Sequence, residues 1–213
     1  MGIYDNLNLL PPDLFGFNMY KSKIFDNLIR EVSPKVIIEV GTWKGGSAFT
    51  MCESIKSNGL NTKLYCVDTW LGALEFIDEK STWMSTESLR KERDLMNING
   101  YPNVYYQFLS NVVHTENQNI ITPIPNTSLI SARYFSNNDI RAELIFIDGS
   151  HDYEDVLLDL NAYSKLISGS GGILFGDDYN EKFGVKKAVD EFCSNNNLKF
   201  EVLENNFWII RYV

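Results

Sequence analysis

The sequence has little of what marks membrane, secreted or nucleic-acid-binding proteins. It contains no continuous apolar run of the roughly 18 residues that a transmembrane helix needs. Its start, MGIYDNLNLLPPD, has neither the basic beginning nor the apolar centre of a signal peptide. A net charge of −9 argues against a broad nucleic-acid interface, because such an interface needs a basic face. We therefore expect a soluble, cytoplasmic protein that acts on small molecules, with no nucleic-acid or membrane partner.

Cysteine is scarce as well, with three residues at Cys52, Cys66 and Cys193. An odd number of widely spaced cysteines within apolar patterns predicts reduced core residues and not a disulfide framework. The apolar fraction of 44% and the aromatic fraction of 13% are typical of a globular protein. A chain of 213 residues is long enough for one α/β domain with a full core.

Two segments interrupt the predicted alternation of strands and helices. Residues 1–16 contain Pro11-Pro12 and little periodicity, which predicts an irregular arm lying on the domain or on a partner subunit. A homo-oligomer is therefore left open. Residues 71–118 are too long for an ordinary connection, and we expect a helical insertion or lid there. His114 ends an apolar stripe in this insertion and is a further functional candidate.

The part of the chain that carries most information is residues 144–179, LIFIDGSHDYEDVLLDLNAYSKLISGSGGILFGDDY. It predicts a buried strand at Leu144–Ile147, an amphipathic helix and a second buried strand at Ile173–Phe175. Strands joined by a helical crossover run parallel, so their C-terminal ends meet at one edge of the sheet.

Acidic residues follow both of these strands. Asp148 follows the first, and Asp177 with Asp178 follows the second, so all three carboxylates are expected side by side. Neighbouring carboxylates repel one another unless a proton or a divalent cation intervenes. His151 lies three residues after Asp148 and brings to this edge a side chain that exchanges protons near neutral pH.

A glycine-containing turn follows the first predicted strand, which ends at Val40. The sequence Glu39-Val40-Gly41-Thr42-Trp43-Lys44-Gly45-Gly46-Ser47 leads into a helix. Such a turn lets the backbone approach a ligand, and the helix N-terminus offers N–H groups to an anion. The glycine spacing differs from that of dinucleotide enzymes and of P-loops.

Asp68 directly follows the next predicted strand, Leu64–Val67. An acidic residue at this point receives the ribose diol in cofactor-binding βαβ units, because a carboxylate accepts hydrogen bonds from both hydroxyls. The turn and Asp68 together predict a cofactor that contains a nucleoside.

The rest of the chain completes an α/β pattern. A helix is predicted over Phe17–Val32, a third strand over Asn119–Ile124, and a helix beginning at Ser128, which serves either as a helix cap or as a contact to a cofactor base. In the helix from Tyr153, Asp159 is expected on a solvated face. Two strand-like runs at the C-terminus predict a β-hairpin.

These motifs resemble the class I S-adenosylmethionine-dependent methyltransferases, most specifically at VIIEVGTWKGGS, LYCVDTW, LIFIDGSHDYEDV, GGILFGDDY and GVKKAVDEF. Within that class the chain looks most like the metal-dependent small-molecule O-methyltransferases of the macrocin and mycinamicin type and their cephalosporin-hydroxylase-like relatives. The resemblance implies a Rossmann-like α/β fold: a seven-stranded, mostly parallel sheet with helices on both faces and a C-terminal antiparallel β-hairpin.

The resemblance also implies roles for particular residues. It implies that Asp148, Asp177 and Asp178 bind Mg²⁺ or another divalent cation and that His151 is the general base. It implies that S-adenosylmethionine is bound by Glu39, Gly41, Thr42, Gly45, Ser47, Asp68, Thr69, Ser128 and Asp148. One departure concerns Asp177, which stands where some relatives carry the longer Glu.

This interpretation of the motifs predicts methyl transfer to a hydroxyl of a small molecule, such as a sugar diol or a catechol. Other functional hypotheses stay open at this point. They are a nucleotide-dependent oxidoreductase, a hydrolase built on the carboxylates, a nucleic-acid N-methyltransferase, and a binding module that holds cofactor or metal without turnover. The N-methyltransferase would favour an N/D-P-P-Y motif, whereas Asp148 is followed by Gly149-Ser150-His151.

Overall fold

A seven-stranded sheet forms the centre of the molecule in the computed structural model, which describes residues 2–14, 22–72, 97–98, 100–203 and 206–213. The strands are β1 (Val36–Val40), β2 (Lys63–Asp68), β3 (Asn97–Ile98), β4 (Tyr101–Pro102), β5 (Ile121–Pro125), β6 (Leu144–Ile147), β7 (Ile173–Gly176), β8 (Phe200–Val202) and β9 (Trp208–Arg211). The helices are α1 (Lys23–Val32), α2 (Gly46–Ser57), α3 (Val104–His114), α4 (Ser128–Asn137), α5 (Tyr153–Tyr163) and α6 (Val185–Asn195). The short strands β3 and β4 pair only with each other.

The strand order in the sheet is β5-β2-β1-β6-β7-β9-β8. The first five strands of this order run parallel, and β9 is antiparallel to both of its neighbours. This topology confirms the predicted mostly parallel sheet with a terminal antiparallel hairpin. The chain winds outward in one direction from β1 and in the other from β6, so a crevice is expected between the C-terminal ends of these two strands.

Alternating side chains of the strands enter two separate cores. Leu144 and Phe146 of β6 pack with α1, α2 and α3 on one face of the sheet. Ile145 and Ile147 pack with α4, α5 and α6 on the other face. Burial on both faces explains why these strands are continuously apolar in sequence. The three cysteines are free and buried, as predicted, and burial raises the pKa of each thiol.

Several predicted boundaries move by a few residues. Helix α1 begins at Lys23 because the Ser22 hydroxyl accepts a hydrogen bond from the Ile24 amide. The part of the predicted helix between residues 17 and 21 lies outside the described residues. The strand predicted over Asn119–Ile124 is observed at Ile121–Pro125.

One prediction about a side chain is wrong. Asp159 does not belong to a solvated face, because its exposed fraction is 5% and its carboxyl group lies between α4 and α5. The error arose because helical periodicity places a residue by its angle and does not show that a second helix covers part of the polar face.

The N-terminal arm lies on the body of the domain, one of the two predicted placements. The Tyr4 hydroxyl donates to the Ile121 carbonyl, and the Leu10 amide donates to the hydroxyl of Ser110 on α3. Helix α3, predicted as part of an insertion, packs its apolar side into the first core. Within that insertion, residues 73–96 and 99 lie outside the described residues. None of the helices described has the length and apolar character that crossing a bilayer requires.

Candidate active site

The turn after β1 is organised from inside by a buried carboxyl group. Glu39 is fully buried and accepts hydrogen bonds from the hydroxyls of Thr42, at 2.9 Å, and Ser47. Burial raises the pKa of Glu39 to about 7, and the two hydroxyl donors act in the opposite direction. Glu39, Thr42 and Ser47 therefore form one polar cluster that fixes the turn to the beginning of α2.

Two glycines of this turn are required by packing. Gly41 has φ of +87°, and a Cβ there would lie 2.1 Å from the carbonyl oxygen of Asp148. Gly45 has φ of +97°, and a Cβ there would lie 2.5 Å from the ring of Phe49. Only glycine adopts these conformations readily and leaves this space. The contact of Gly41 joins the turn after β1 to the loop after β6.

Asp68 is oriented by backbone donors from both sides. One carboxylate oxygen accepts from the amides of Thr42, at 3.0 Å, and Trp43, at 2.8 Å, and the other accepts from the Trp70 amide at 2.7 Å. Burial raises the pKa of Asp68 and the amide donors lower it. Asp68 and Thr69 thus lie beside the turn at the C-terminal end of β2, where a ribose was predicted.

Ser128 stands at the beginning of α4, but it is not the cap of that helix. The N-cap is Thr127, whose hydroxyl accepts from the Ile130 amide. Ser128 instead forms a hydrogen bond with the side chain of Asp159, while its carbonyl accepts from the Tyr163 hydroxyl at 2.9 Å. Burial raises the pKa of Asp159 to about 6, and the bond with Ser128 opposes that rise. The pair anchors the beginning of α4 to α5.

The acidic residues after β6 and β7 meet as the topology requires. Ile147 and Gly176 are partners in the parallel register, so Asp148 and Asp177 begin neighbouring loops. Ligand atoms of Asp148, His151 and Asp178 lie within 4.8 Å of one another. Asp177 lines the same cleft, together with Trp208 of β9. Its carboxylate accepts from the Asp178 amide at 2.7 Å, and burial raises its pKa to about 6.

His151 is held from three directions. Its Nε2 lies 2.9 Å from a carboxylate oxygen of Asp178, and its ring stacks on Phe183 with centroids 4.4 Å apart. Its carbonyl accepts from the Gly184 amide, which ties the loop to the beginning of α6. The imidazole therefore has a defined position at the rim of the cleft.

The structure brings the predicted residues together in two adjoining groups. The first comprises the cofactor residues Glu39, Gly41, Thr42, Gly45, Ser47, Asp68 and Thr69 around the turn after β1. The second comprises Asp148, His151, Asp177 and Asp178 in the cleft, and the groups touch where Gly41 meets Asp148. Ser128 lies at the beginning of α4, beyond β5.

Sequence reasoning missed several residues that shape these groups. The Trp70 indole donates to the Trp43 carbonyl at 2.7 Å and stacks on Phe108. Asn111 bonds to both the arm and the turn. Apolar periodicity carried no signal for the hydrogen bonds of either residue.

A sequence model of the family described as "Methyltransferase domain" matches residues 38–179, which include every residue of both groups. This match covers most of the chain and confirms the resemblance to methyltransferases. The protein belongs to the methyltransferase family, and its fold and motifs are those of the class I S-adenosylmethionine-dependent enzymes.

Two relatives share sequence with the chain. "Uncharacterized protein R132" of Acanthamoeba polyphaga mimivirus is 28% identical over 214 residues, which cover 94% of this chain and 82% of that protein. "Uncharacterized protein y4gI" of Sinorhizobium fredii is 25% identical over 150 residues, which cover 70% of this chain and 14% of that protein.

Solved methyltransferase structures share the fold. The O-methyltransferase NovP superimposes with a TM-score of 0.61 at 15% identity, covering 90% of this chain and 80% of that one. The calicheamicin methyltransferase CalS11 gives 0.58 at 18% identity, covering 88% and 76%. An O-methyltransferase from Bacillus cereus in complex with SAH gives 0.58 at 13% identity, covering 96% and 93%. At these identities the likeness establishes the fold.

Proposed function

We propose that the protein transfers the methyl group of S-adenosylmethionine to a hydroxyl oxygen of a small molecule, using a divalent cation and His151 as general base. The observation that carries the proposal is the convergence of Asp148, His151 and Asp178 within 4.8 Å, next to the turn after β1. The structural neighbours NovP and the Bacillus cereus protein are themselves named O-methyltransferases.

The residues of the cleft fit a divalent cation. Asp148 and Asp178 offer carboxylate oxygens, the ligands that Mg²⁺ and related hard cations prefer. Asp177 adds a third carboxylate to the same lining. Concentrated negative charge of this kind is costly without a counter-charge. Burial contributes most to the raised pKa of Asp177, and the neighbouring carboxylate of Asp178 adds to the rise. When bound, a divalent cation supplies charge neutralisation and favours the ionised form of a chelated hydroxyl.

The chain positions the reacting groups and moves the proton. The turn after β1 and Asp68 would hold the nucleoside and methionine portions of S-adenosylmethionine, which supplies an electrophilic methyl group. His151 removes the proton of the acceptor hydroxyl, and its contacts with Asp178 and Phe183 keep the ring in place. Because methyl transfer needs an in-line approach of the oxygen, this positioning supplies much of the acceleration.

The acidic cleft favours acceptors with two adjacent oxygens. Such a molecule would offer both oxygens to a cation held by Asp148 and Asp178, and one of these oxygens would face His151. Sugar diols and catechols share this chemistry. We therefore propose a small hydroxylated acceptor, with Mg²⁺ as the first cation to test.

Thermal unfolding with S-adenosylmethionine, S-adenosylhomocysteine, NAD⁺ and Mg²⁺ in turn tests the ligands. A ligand that binds only the folded state raises the midpoint temperature of unfolding. We expect S-adenosylmethionine, S-adenosylhomocysteine and Mg²⁺ each to stabilise the folded protein. Stabilisation by NAD⁺ alone would contradict the proposal and favour an oxidoreductase.

Two variants separate the roles in the cleft, once methyl uptake into a panel of sugars and polyphenols has identified an acceptor. Asp148→Ala is expected to abolish the dependence of turnover on the cation. His151→Ala is expected to lower turnover by about 10²- to 10⁴-fold while S-adenosylhomocysteine still binds. Glu53→Ala, at an exposed position of α2, is the control. Full activity in both cleft variants would refute the mechanism.

A further inference from the structure

The N-terminal arm is bonded to the same turn that forms the cofactor group. The backbone amides of Leu10 and Asp13 and the backbone carbonyls of Leu10, Pro11 and Asp13 all bond to side chains of α3. Leu10 bonds through its amide to Ser110 and through its carbonyl to His114, and the Pro11 carbonyl accepts from Gln107. The arm therefore lies along α3, and several hydrogen bonds from its irregular backbone hold it there.

Asn111 connects the arm to the turn with a full set of hydrogen bonds. Its amide nitrogen donates to the carbonyls of Asp13, at 2.6 Å, and Lys44, at 3.0 Å. Its amide oxygen accepts from the Asp13 amide and from Gln107, each at 3.0 Å. A primary amide has two donor hydrogens and two acceptor positions. This fully buried side chain uses all of them.

A partly buried ion pair forms a second connection between the arm and the turn. The Lys44 side chain is 2% exposed, and its Nζ lies 2.6 Å from a carboxylate oxygen of Asp13. The Lys44 ammonium also lies over the ring of Trp43. Trp43 has φ of +47°, and its amide donates to Asp68. The position of the Lys44 side chain is thus tied to the backbone that holds Asp68.

From these contacts we infer that the arm is a part of the cofactor site and that Asp13, Lys44 and Asn111 are positioning residues for the turn after β1. The arm holds the turn in the conformation in which Glu39, Thr42 and Asp68 are joined by hydrogen bonds. Affinity for S-adenosylmethionine then depends on docking of the arm. The inference rests on the cofactor half of the proposed function and is independent of the acceptor and of the cation.

Binding of S-adenosylhomocysteine to Asp13→Asn, Lys44→Met and the double variant, measured by calorimetry on the full chain, tests the inference. Each single change is expected to raise Kd about tenfold, a typical size for coupling between sites. The double variant is expected to bind no more weakly than the weaker single variant, because both changes break one connection. Asp13→Glu, which keeps the charge, is expected to recover part of the affinity.

Calorimetric stoichiometry distinguishes positioning from misfolding. A variant that is merely unstable loses binding sites and keeps the Kd of the sites that remain. Glu31→Gln weakens a more exposed ion pair with Arg211, away from the turn, and is expected to leave Kd unchanged. In turnover assays Asp13→Asn and Lys44→Met are expected to raise KM for the methyl donor about tenfold and to change kcat less than twofold.

Linkage provides an independent check. If docking of the arm favours the cofactor, the cofactor must favour docking of the arm by the same factor. Hydrogen exchange of residues 2–14 is expected to slow about tenfold when S-adenosylhomocysteine is bound, and to lose this response in Lys44→Met. Unchanged Kd in both single variants at full stoichiometry, or exchange that ignores the cofactor, would overturn the inference. Normal cofactor binding without methyl transfer would instead count against the proposed acceptor chemistry alone.

Discussion

The two groups of the active site are stabilised in opposite ways. Around the turn after β1, Glu39 and Asp68 are surrounded by hydroxyl and amide donors from the chain itself. In the cleft, Asp148, Asp177 and Asp178 lie together. His151 is the basic side chain among the described residues that line this cleft. The first group is complete without any ligand. The second has an excess of negative charge that a cation would relieve.

This difference indicates separate tasks. A turn fixed by its own hydrogen bonds presents a preformed surface, so little ordering accompanies cofactor binding. A carboxylate cluster responds strongly to the charge brought into it. Substitutions around the turn should therefore act by changing its geometry. Substitutions in the cleft should act by changing its charge.

The largest effect is expected from Gly41→Ala, which affects both groups at once. A Cβ at this position would lie 2.1 Å from the Asp148 carbonyl oxygen and would require an unfavourable positive φ. We expect the free energy of unfolding to fall by about 4 kcal/mol, with loss of cofactor binding and of turnover. Chemical denaturation and calorimetry measure these effects. Gly59→Ala, which also has a positive φ but open space around it, separates conformational strain from the clash.

Asp178→Asn should damage only the cleft. The change removes one negative charge and alters the contact with His151. We expect turnover to fall about 10²-fold and the stabilising effect of Mg²⁺ to weaken, while the Kd for S-adenosylhomocysteine stays within about twofold. A large change in that Kd would show that the two groups are not separable.

Asp159→Asn should reveal the buried carboxyl group through its pH dependence. The folded-state pKa of Asp159 is raised to about 6 from an ordinary value of 3.8. This residue therefore costs stability progressively as pH rises from about 4 to 6, and the cost stays constant above that range. We expect the variant to be more stable than the parent by about 1–2 kcal/mol at pH 8 and to lose this advantage at pH 4.

Denaturant titrations at the two pH values measure the difference. Glu154→Gln, at an exposed position of the same helix, is the matched control and should show little change. Equal stability of Asp159→Asn and the parent at every pH would show that the hydrogen bond with Ser128 offsets the cost of burial.

The smallest effect is expected from Thr127→Ala. Loss of the capping hydroxyl of α4 should lower stability by about 1 kcal/mol, without affecting the cleft. Ser128→Ala keeps the cap and should lower stability less in thermal scans. The reverse order would mean that Ser128, and not Thr127, secures the beginning of α4.

Topology explains why much of the site was predictable from sequence. The parallel strands β6 and β7 and their crossover helix follow from apolar patterning, and the meeting of Asp148 with Asp178 follows from the direction of the strands. Asp159 and Ser128 were harder to place, because their environments depend on how α4 packs against α5. The role of Asn111 depends on a contact between residues 98 positions apart, which local patterns do not encode. Residues 73–96 of the predicted insertion lie outside the described part of the chain.

The close approach of Gly41 to the main chain of Asp148 has a practical meaning for redesign. At that point the turn after β1 and the loop after β6 meet main chain to main chain, so no side chain lies between them that could absorb a displacement. Redesign of the cleft should leave this contact intact and begin from Phe183, whose ring stacks on His151.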